Sequence, residues 1–223
     1  MTCRVDLRIS RERFADRIEA GRALVPLLAG YAGRDNLLVL GLPRGGVPVA
    51  AEIAAGLAAD LDVLLVRKLG VPTHPELAMG AIAEVGGLVE VVQNDVVMVR
   101  MGISRTEFDA VYRRELQELQ RRNAAYRGDR DPVRVAGRVV IVVDDGLATG
   151  STMRAAVAAV RRQHPARLIA AVPVGAAESC RELTAEVDEL ACALMPAPFR
   201  AVRQGYRDFR QTSDEEVLAA LGR

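Results

Sequence analysis

Val139-Val140-Ile141-Val142-Val143-Asp144-Asp145-Gly146-Leu147-Ala148-Thr149-Gly150-Ser151-Thr152 is the stretch on which the fold turns. Its uninterrupted apolar run, closed by charge, reads as a strand buried on both faces, the kind found inside parallel sheets. Two carboxylates end the strand, and small and hydroxyl-bearing residues open a helix that runs to about Gln163. The same pattern recurs outward from it. Asn36 to Gly41 is an apolar run followed by Pro43-Arg44-Gly45-Gly46 and an alanine-rich helical pattern from Val47 to about Ala59. Asp62 to Val66 is a second run, broken by Arg67-Lys68-Leu69-Gly70. Leu168 to Val174 and Leu190 to Leu194 are two more, with a helix from Ala176 to about Val187 between them. Strand and helix alternate, so the expected fold is α/β, a mainly parallel twisted sheet of about five strands with helices on both faces.

The remaining segments are less regular. Ser10 reads as the N-cap of a first helix carrying Phe14, Ile18, Leu24, Leu27 and Leu28 on one face up to about Tyr31. Residues 71–87 hold Pro72, Pro75, Gly80, Gly86 and Gly87 and read as a long loop, followed by a hairpin using Leu88 to Val92. Ser104 to Tyr126 is a charged helix with Phe108, Val111, Leu116 and Leu119 as its apolar stripe. Its Arg113, Arg114, Arg121 and Arg122 interleave with Glu115 and Glu118, which describes a solvated face better than a nucleic-acid patch. Beyond Pro196 comes an irregular tail and a short helix from Asp214, capped by Ser213. No linker divides the chain, so residues 1–223 are expected to form a single domain.

Composition narrows the function classes. A chain of 223 residues, 50% of them hydrophobic, can bury a full-sized core. Thirty Lys and Arg against 29 Asp and Glu leave a net charge of +1, which argues against a nucleic-acid binder. A charged fraction of 26% beside that apolar content excludes disorder throughout. Cys3, Cys180 and Cys192 are odd in number and at no metal-ligand spacing, so they read as buried thiols of a reducing compartment. No window approaches the ~18 apolar residues of a membrane span, and no signal-peptide core is present. A soluble cytoplasmic protein with no membrane or nucleic-acid partner is expected.

Ligands of open α/β sheets bind at the carboxyl ends of the strands. At the end of the decisive strand, backbone N–H groups and the hydroxyls of Thr149, Ser151 and Thr152 make a cup for a phosphate monoester. Asp144 and Asp145 suit the vicinal hydroxyls of a sugar, directly or through a divalent cation held by water. Together they describe a site for a ribose phosphate. A Walker loop is excluded because no lysine follows Gly150, and the G-x-G-x-x-G fingerprint is absent from every strand end. A capped helix behind a solvated acid pair is the plain alternative.

Residues 140–152 closely resemble the phosphoribosyl-pyrophosphate (PRPP) signature of the type I phosphoribosyltransferases: apolar strand, two acids, two mostly apolar positions, then small and hydroxyl residues around a glycine. Gly146 departs from it, an aliphatic residue being commoner there. Gly41-Leu42-Pro43-Arg44-Gly45-Gly46 resembles the family's pyrophosphate loop, where a non-proline cis peptide near Arg44 is implied. Arg67-Lys68-Leu69-Gly70 resembles the segment entering its flexible catalytic loop. The wider chain is similar to a branch of predicted phosphoribosyltransferases, marked by Gly-Leu-Pro-Arg-Gly-Gly-Val-Pro-Val-Ala, Pro-Glu-Leu-Ala-Met-Gly-Ala and the tail Tyr206-Arg207-Asp208-Phe209.

What the resemblance implies is specific. Asp144, Asp145, Arg67 and Lys68 would be catalytic; Ala148, Thr149, Gly150, Ser151 and Thr152 would take the PRPP 5′-phosphate; Arg44, Gly45 and Gly46 would take the pyrophosphate. Mg²⁺ would be the cofactor, held by PRPP and, through water, by Asp144 and Asp145. Residues 68–93 would form a flexible loop and hairpin, with Glu76 a candidate acid in the lid. Residues 195–211 would form a hood in which Phe199, Tyr206 and Phe209 stack on the acceptor base, unless they pack the tail onto the core or make a dimer contact. Enzymes of the hypoxanthine-guanine type carry an aspartate where this chain has Ala148, which disfavours those acceptors. The implied activity is Mg-dependent displacement of pyrophosphate from PRPP by a nitrogenous, small-molecule acceptor, in an expected homodimer. A non-catalytic PRPP-sensing regulator is the alternative; a ribose-phosphate hydrolase is disfavoured because no nucleophile with a paired base is visible.

Overall fold

A computed structural model describes residues 2–5, 13–128 and 130–222. In chain order the elements are β1 (Thr2–Val5), α1 (Arg17–Leu24), a 3-10 segment (Pro26–Tyr31), β2 (Leu37–Gly41), α2 (Gly46–Leu57), β3 (Asp60–Val63), β4 (Leu65–Val71), β5 (His74–Val85) and β6 (Leu88–Gln93). They continue with α3 (Asp95–Arg100), α4 (Arg105–Arg127), β7 (Val139–Val143), α5 (Ser151–Arg162), β8 (Arg167–Val174), α6 (Ala177–Thr184), β9 (Glu189–Leu194), a 3-10 turn (Val202–Gly205) and α7 (Asp214–Ala220). No helix among the described residues is long and apolar enough to cross a membrane.

Six strands form a parallel sheet in the order β1-β9-β8-β7-β2-β3. All five residues of β2 and all five of β7 are buried, because helices cover both sheet faces. Leu38, Leu40, Val140 and Val142 face α5 and α6. Leu37, Val39, Ile141 and Val143 face α1, the 3-10 segment and α2. The parallel α/β sheet expected from the sequence is present, with one more strand than the five apolar runs announced: β1, added at the far edge.

Two segments differ from expectation. Residues 71–87, expected to be a loop, are mostly strand: β4, β5 and β6 make a three-stranded antiparallel sheet. Arg67-Lys68-Leu69-Gly70, expected to break a strand, lies inside β4. The glycines and prolines that suggested a loop sit at the tight turns and at two bulges, between Leu69 and Gly70 and between Gly70 and Val71. Leu69, Met79 and Ile82 then pack against Phe108, Val111 and Leu119 of α4. The first helix starts at Arg17 with the Asp16 carboxylate capping the Glu19 N–H, whereas Ser10 lies outside the described residues. Ser104 and Ser213 do cap α4 and α7, each in a capping box.

One buried ion cluster joins the two sheets. Arg127, at the end of α4, places Nη1 2.6 Å from Glu84 of β5 and Nη2 3.0 Å from Asp62 of β3. All three residues are at most 6% exposed. Burial pushes the Glu84 carboxyl up, and the Arg127 charge works against that shift. Removing the cation would strand two carboxylates in a low-dielectric interior. Arg127→Ala should therefore lower unfolding free energy by about 3–5 kcal/mol in a urea titration.

Candidate functional site

The strand order reverses between β2 and β7, the place where open sheets of this kind hold ligands. Gly41 is paired with Val143, and the Leu42 N–H donates to the Val143 carbonyl at 2.9 Å. The Pro43–Gly46 and Asp144–Gly150 loops therefore leave the sheet side by side and at one height. The Pro43–Arg44 peptide is cis, a non-proline bond at the place the resemblance implied.

Asp144 and Asp145 lie close beneath the first loop. The Asp145 N–H donates to Asp144 Oδ1 at 2.9 Å. Asp145 Oδ2 accepts from Arg17 Nε at 2.9 Å and Nη2 at 2.7 Å. A Cβ on Gly45 would fall 1.9 Å from that same oxygen, and one on Gly46 would fall 2.6 Å from the Val143 carbonyl. Both positions require glycine because the loop rests directly on the strand end. Burial pushes the Asp144 carboxyl well above the usual carboxylate range, and the neighbouring Asp145 charge adds to it. Burial also raises Asp145, while the Arg17 guanidinium pulls it back.

Behind the acids, Gly150 takes a positive φ of 74° and caps α5. Among the described residues, none of the backbone N–H groups of residues 148–153 donates to a protein acceptor; the first such bond runs from Arg154 N–H to the Gly150 carbonyl at 2.8 Å. Thr149 Oγ1 and Ser151 Oγ sit 3.3 Å apart at this row of free donors. The Ser179 hydroxyl of α6 donates to the Ala148 carbonyl and ties the loop from below. Thr149, Ser151 and Arg154 line a cleft of about 570 Å³ whose opposite wall carries Lys68, Gln93 and Asn94.

The cations fall out differently from the sequence expectation. Arg67 and Lys68 are adjacent in a strand, so their side chains point to opposite faces. Arg67 turns to α4 and gives Nε and Nη2 to Glu115 Oε2, at 2.9 and 2.5 Å. Lys68 is exposed and faces the cleft. The two cations therefore do not share a face: Lys68 looks onto the cleft and Arg67 onto Glu115. Arg44 is half-exposed, with Nη1 3.9 Å from Asp214 at the start of α7. Asp214 accepts a hydrogen bond from the Tyr126 hydroxyl at 2.5 Å, which together with burial holds that phenol up at about 12. His74 and Glu76 are exposed at the tip of β5.

The aromatic tail takes the packing alternative that the sequence left open. Tyr206 is 2% exposed and offers no free face for a base. Its ring packs between Phe14 and Phe209, with centroids at 5.9 and 4.9 Å, and its hydroxyl donates to the Asp145 carbonyl at 2.6 Å. Phe199 and Phe209 are half-buried against the same core. These aromatics pack the tail onto the strand end. A Cβ on Gly146 would lie 2.2 Å from Val202 Cγ1, so the unusual glycine makes room for the tail. Arg17, Glu115 and Asp214, each in contact with a site residue, carried no sequence signal, because each meets its partner only through tertiary packing. Cys180 and Cys192 are buried in the core, as read. Among the described residues, no group of three or more His, Cys, Asp or Glu side chains is arranged to hold a metal.

Comparison with known proteins bears on this geometry. A family described as "Phosphoribosyl transferase domain" matches residues 17–193. Two Mycobacterium tuberculosis proteins, "Putative phosphoribosyl transferase MT0597" and "Putative phosphoribosyl transferase Rv0571c", are each 49% identical over 210 residues. Those alignments cover 94% of this chain and 46% of each relative, so the chain spans about half the length of the curated relatives it matches. The crystal structure of TT1426 from Thermus thermophilus has a TM-score of 0.81 at 40% identity, covering 94% of this chain and 97% of that one.

The half-buried acid has a measurable cost. Asp144 has a folded pKa above its unfolded value, so the native state holds the extra proton and its stability falls as pH rises through that window. Asp144→Asn should remove this loss: thermal melts of the ligand-free protein should show a higher Tm at pH 7 than wild type, with the difference shrinking toward pH 4.

Proposed function

The chain belongs to the phosphoribosyl transferase family, and from that premise we propose that it transfers the phosphoribosyl group of PRPP to a nitrogenous small-molecule acceptor. The observation that carries this reading is the row of unpartnered N–H groups at residues 148–153 beside two desolvated carboxylates. A phosphate monoester satisfies those donors and the helix start behind them. Sugar hydroxyls, or a hydrated cation, satisfy the acids.

In this reaction the bond from ribose C1 to the pyrophosphate oxygen breaks and a bond from C1 to the acceptor nitrogen forms. Positive charge develops on the ring while negative charge leaves on pyrophosphate, so positioning and electrostatics supply most of the catalysis. Thr149, Gly150, Ser151 and Thr152 anchor the 5′-phosphate, whose remote binding energy orients C1. Asp144 holds the ribose hydroxyls and favours the charged ring, while Asp145, engaged by Arg17, faces the diphosphate side with its second oxygen. Arg44 and the Gly45–Gly46 backbone receive the diphosphate, and Lys68 adds a cation from the opposite wall. Arg67 serves indirectly, fixing β4 to α4 through Glu115.

The residues fit magnesium in one manner. Two adjacent carboxylates with no third protein ligand among the described residues suit an ion that keeps most of its waters and is completed by substrate phosphates. When bound, it neutralises charge on the departing diphosphate. Ala148 is exposed on the loop and presents no carboxylate to the acceptor, and Val202 of the 195–211 segment packs beside Gly146.

Calorimetry with PRPP and magnesium, followed by a nucleobase screen for pyrophosphate release, tests the reading directly. Replacing both acids, Asp144→Asn with Asp145→Asn, should cut turnover by about a hundredfold or more while circular dichroism stays unchanged. Undiminished activity would remove the acids from the mechanism. Arg44→Ala should weaken pyrophosphate binding by about tenfold and leave ribose 5-phosphate within about twofold of wild type.

A further inference from the structure

Resting on that reading of the site, we propose that Arg17 is a positioning residue for the diphosphate end, acting through Asp145 and Gly45 on Arg44. Arg17 opens α1 and lies far from the phosphate cup in sequence, yet its side chain is only 12% exposed. Nε and Nη2 both donate to Asp145 Oδ2, and Nη1 donates to the Arg210 carbonyl at 2.8 Å. The guanidinium lies over the Phe209 ring, 4.2 Å from its centroid. Three hydrogen bonds and a ring face fix a planar group in one orientation. The Tyr206 hydroxyl pins the Asp145 backbone from the other side.

This pair forms the floor of the diphosphate loop. A Cβ on Gly45 would lie 1.9 Å from Asp145 Oδ2 and 2.9 Å from Arg17 Nε, so the loop backbone rests on both partners. Arg44 is the next residue along, and its one ion pair among the described residues, at 3.9 Å to Asp214, is too long to hold it. The backbone over the Arg17–Asp145 floor therefore decides where the Arg44 guanidinium points. Arg17 does not line the cleft formed by Thr149, Ser151 and Lys68. Its influence is accordingly one-sided: it serves the leaving group and not the 5′-phosphate.

Isothermal titration of magnesium pyrophosphate and, separately, ribose 5-phosphate into wild type, Arg17→Met, Arg17→Lys, Arg44→Ala and the Arg17→Met/Arg44→Ala double variant tests this. Arg17→Met should weaken pyrophosphate binding about tenfold, leave ribose 5-phosphate within about twofold, and be partly rescued in Arg17→Lys. In the Arg44→Ala background Arg17→Met should add less than about twofold, because the two act through one contact. Wild-type pyrophosphate affinity in Arg17→Met, equal loss for both ligands, or full additivity with Arg44→Ala would each overturn the proposal. Should Arg17→Met fail to fold, Gly45→Ala, which drives a methyl into the same floor, carries the same one-sided expectation and the same refutation. If wild type bound neither ligand, the phosphoribosyl reading itself would fall, and this proposal with it.

Discussion

Parallel pairing of β2 with β7 in one register, from Leu37 against Val139 to Gly41 against Val143, is the constraint under which everything else is arranged. Side chains alternate faces along a strand, so a one-residue slip would turn Leu38, Leu40, Val140 and Val142 away from α5 and α6. It would also offset the two loops that leave the strand ends. Because the register holds, Gly45 comes to rest on Asp145 and Gly46 on the Val143 carbonyl. A glycine loop, an acid pair and a helix start then share one small volume at the point where the sheet order reverses.

That volume is electrostatically expensive. Two carboxylates lie close together with burial raising both, and one cation, Arg17, relieves part of the repulsion. A row of N–H donors waits unpaired beside them. Such an arrangement is ill suited to stability and well suited to a ligand carrying both anionic phosphates and neutral hydroxyls. The rest of the chain is stabilised in conventional ways, by apolar layers on both sheet faces and by the Arg127 cluster, where one guanidinium bonds both buried carboxylates. In the Arg127 cluster one guanidinium reaches both carboxylates, whereas Arg17 bonds only Asp145 of its pair, and that difference separates scaffold from site.

How far the site was legible depends on the range of the interactions. Asp144, Asp145 and residues 148–152 are contiguous, and their meaning as a strand end followed by a helix start is local, so it could be read directly. Arg44-Gly45-Gly46 was readable for the same reason. Lys68 and Arg67 were read as a pair because two adjacent cations look alike in a string; pleating sends one to the cleft and the other to Glu115. Tyr206 and Phe209 stood out as rare aromatics, and their stacking role was offered on that ground, yet packing places them under Asp145 and Arg17. The β4–β6 meander was missed because its glycines and prolines mark turns and bulges that resemble loop composition.

What the sequence determined by itself was the periodic and contiguous part: a buried parallel sheet with alternating helices, and the chemical character of each loop at a strand end. Those follow from short-range physics, the two-residue repeat of a strand, the turn of a helix and the donors exposed where a helix begins. Tertiary structure alone decided which distant groups complete the loops. Arg17 meets Asp145 across 128 positions, Glu115 meets Arg67 across 48, and Val202 fills the space Gly146 leaves. Such partners are chosen by the fit of packed surfaces, and a pairing of that range leaves no pattern in the neighbouring residues.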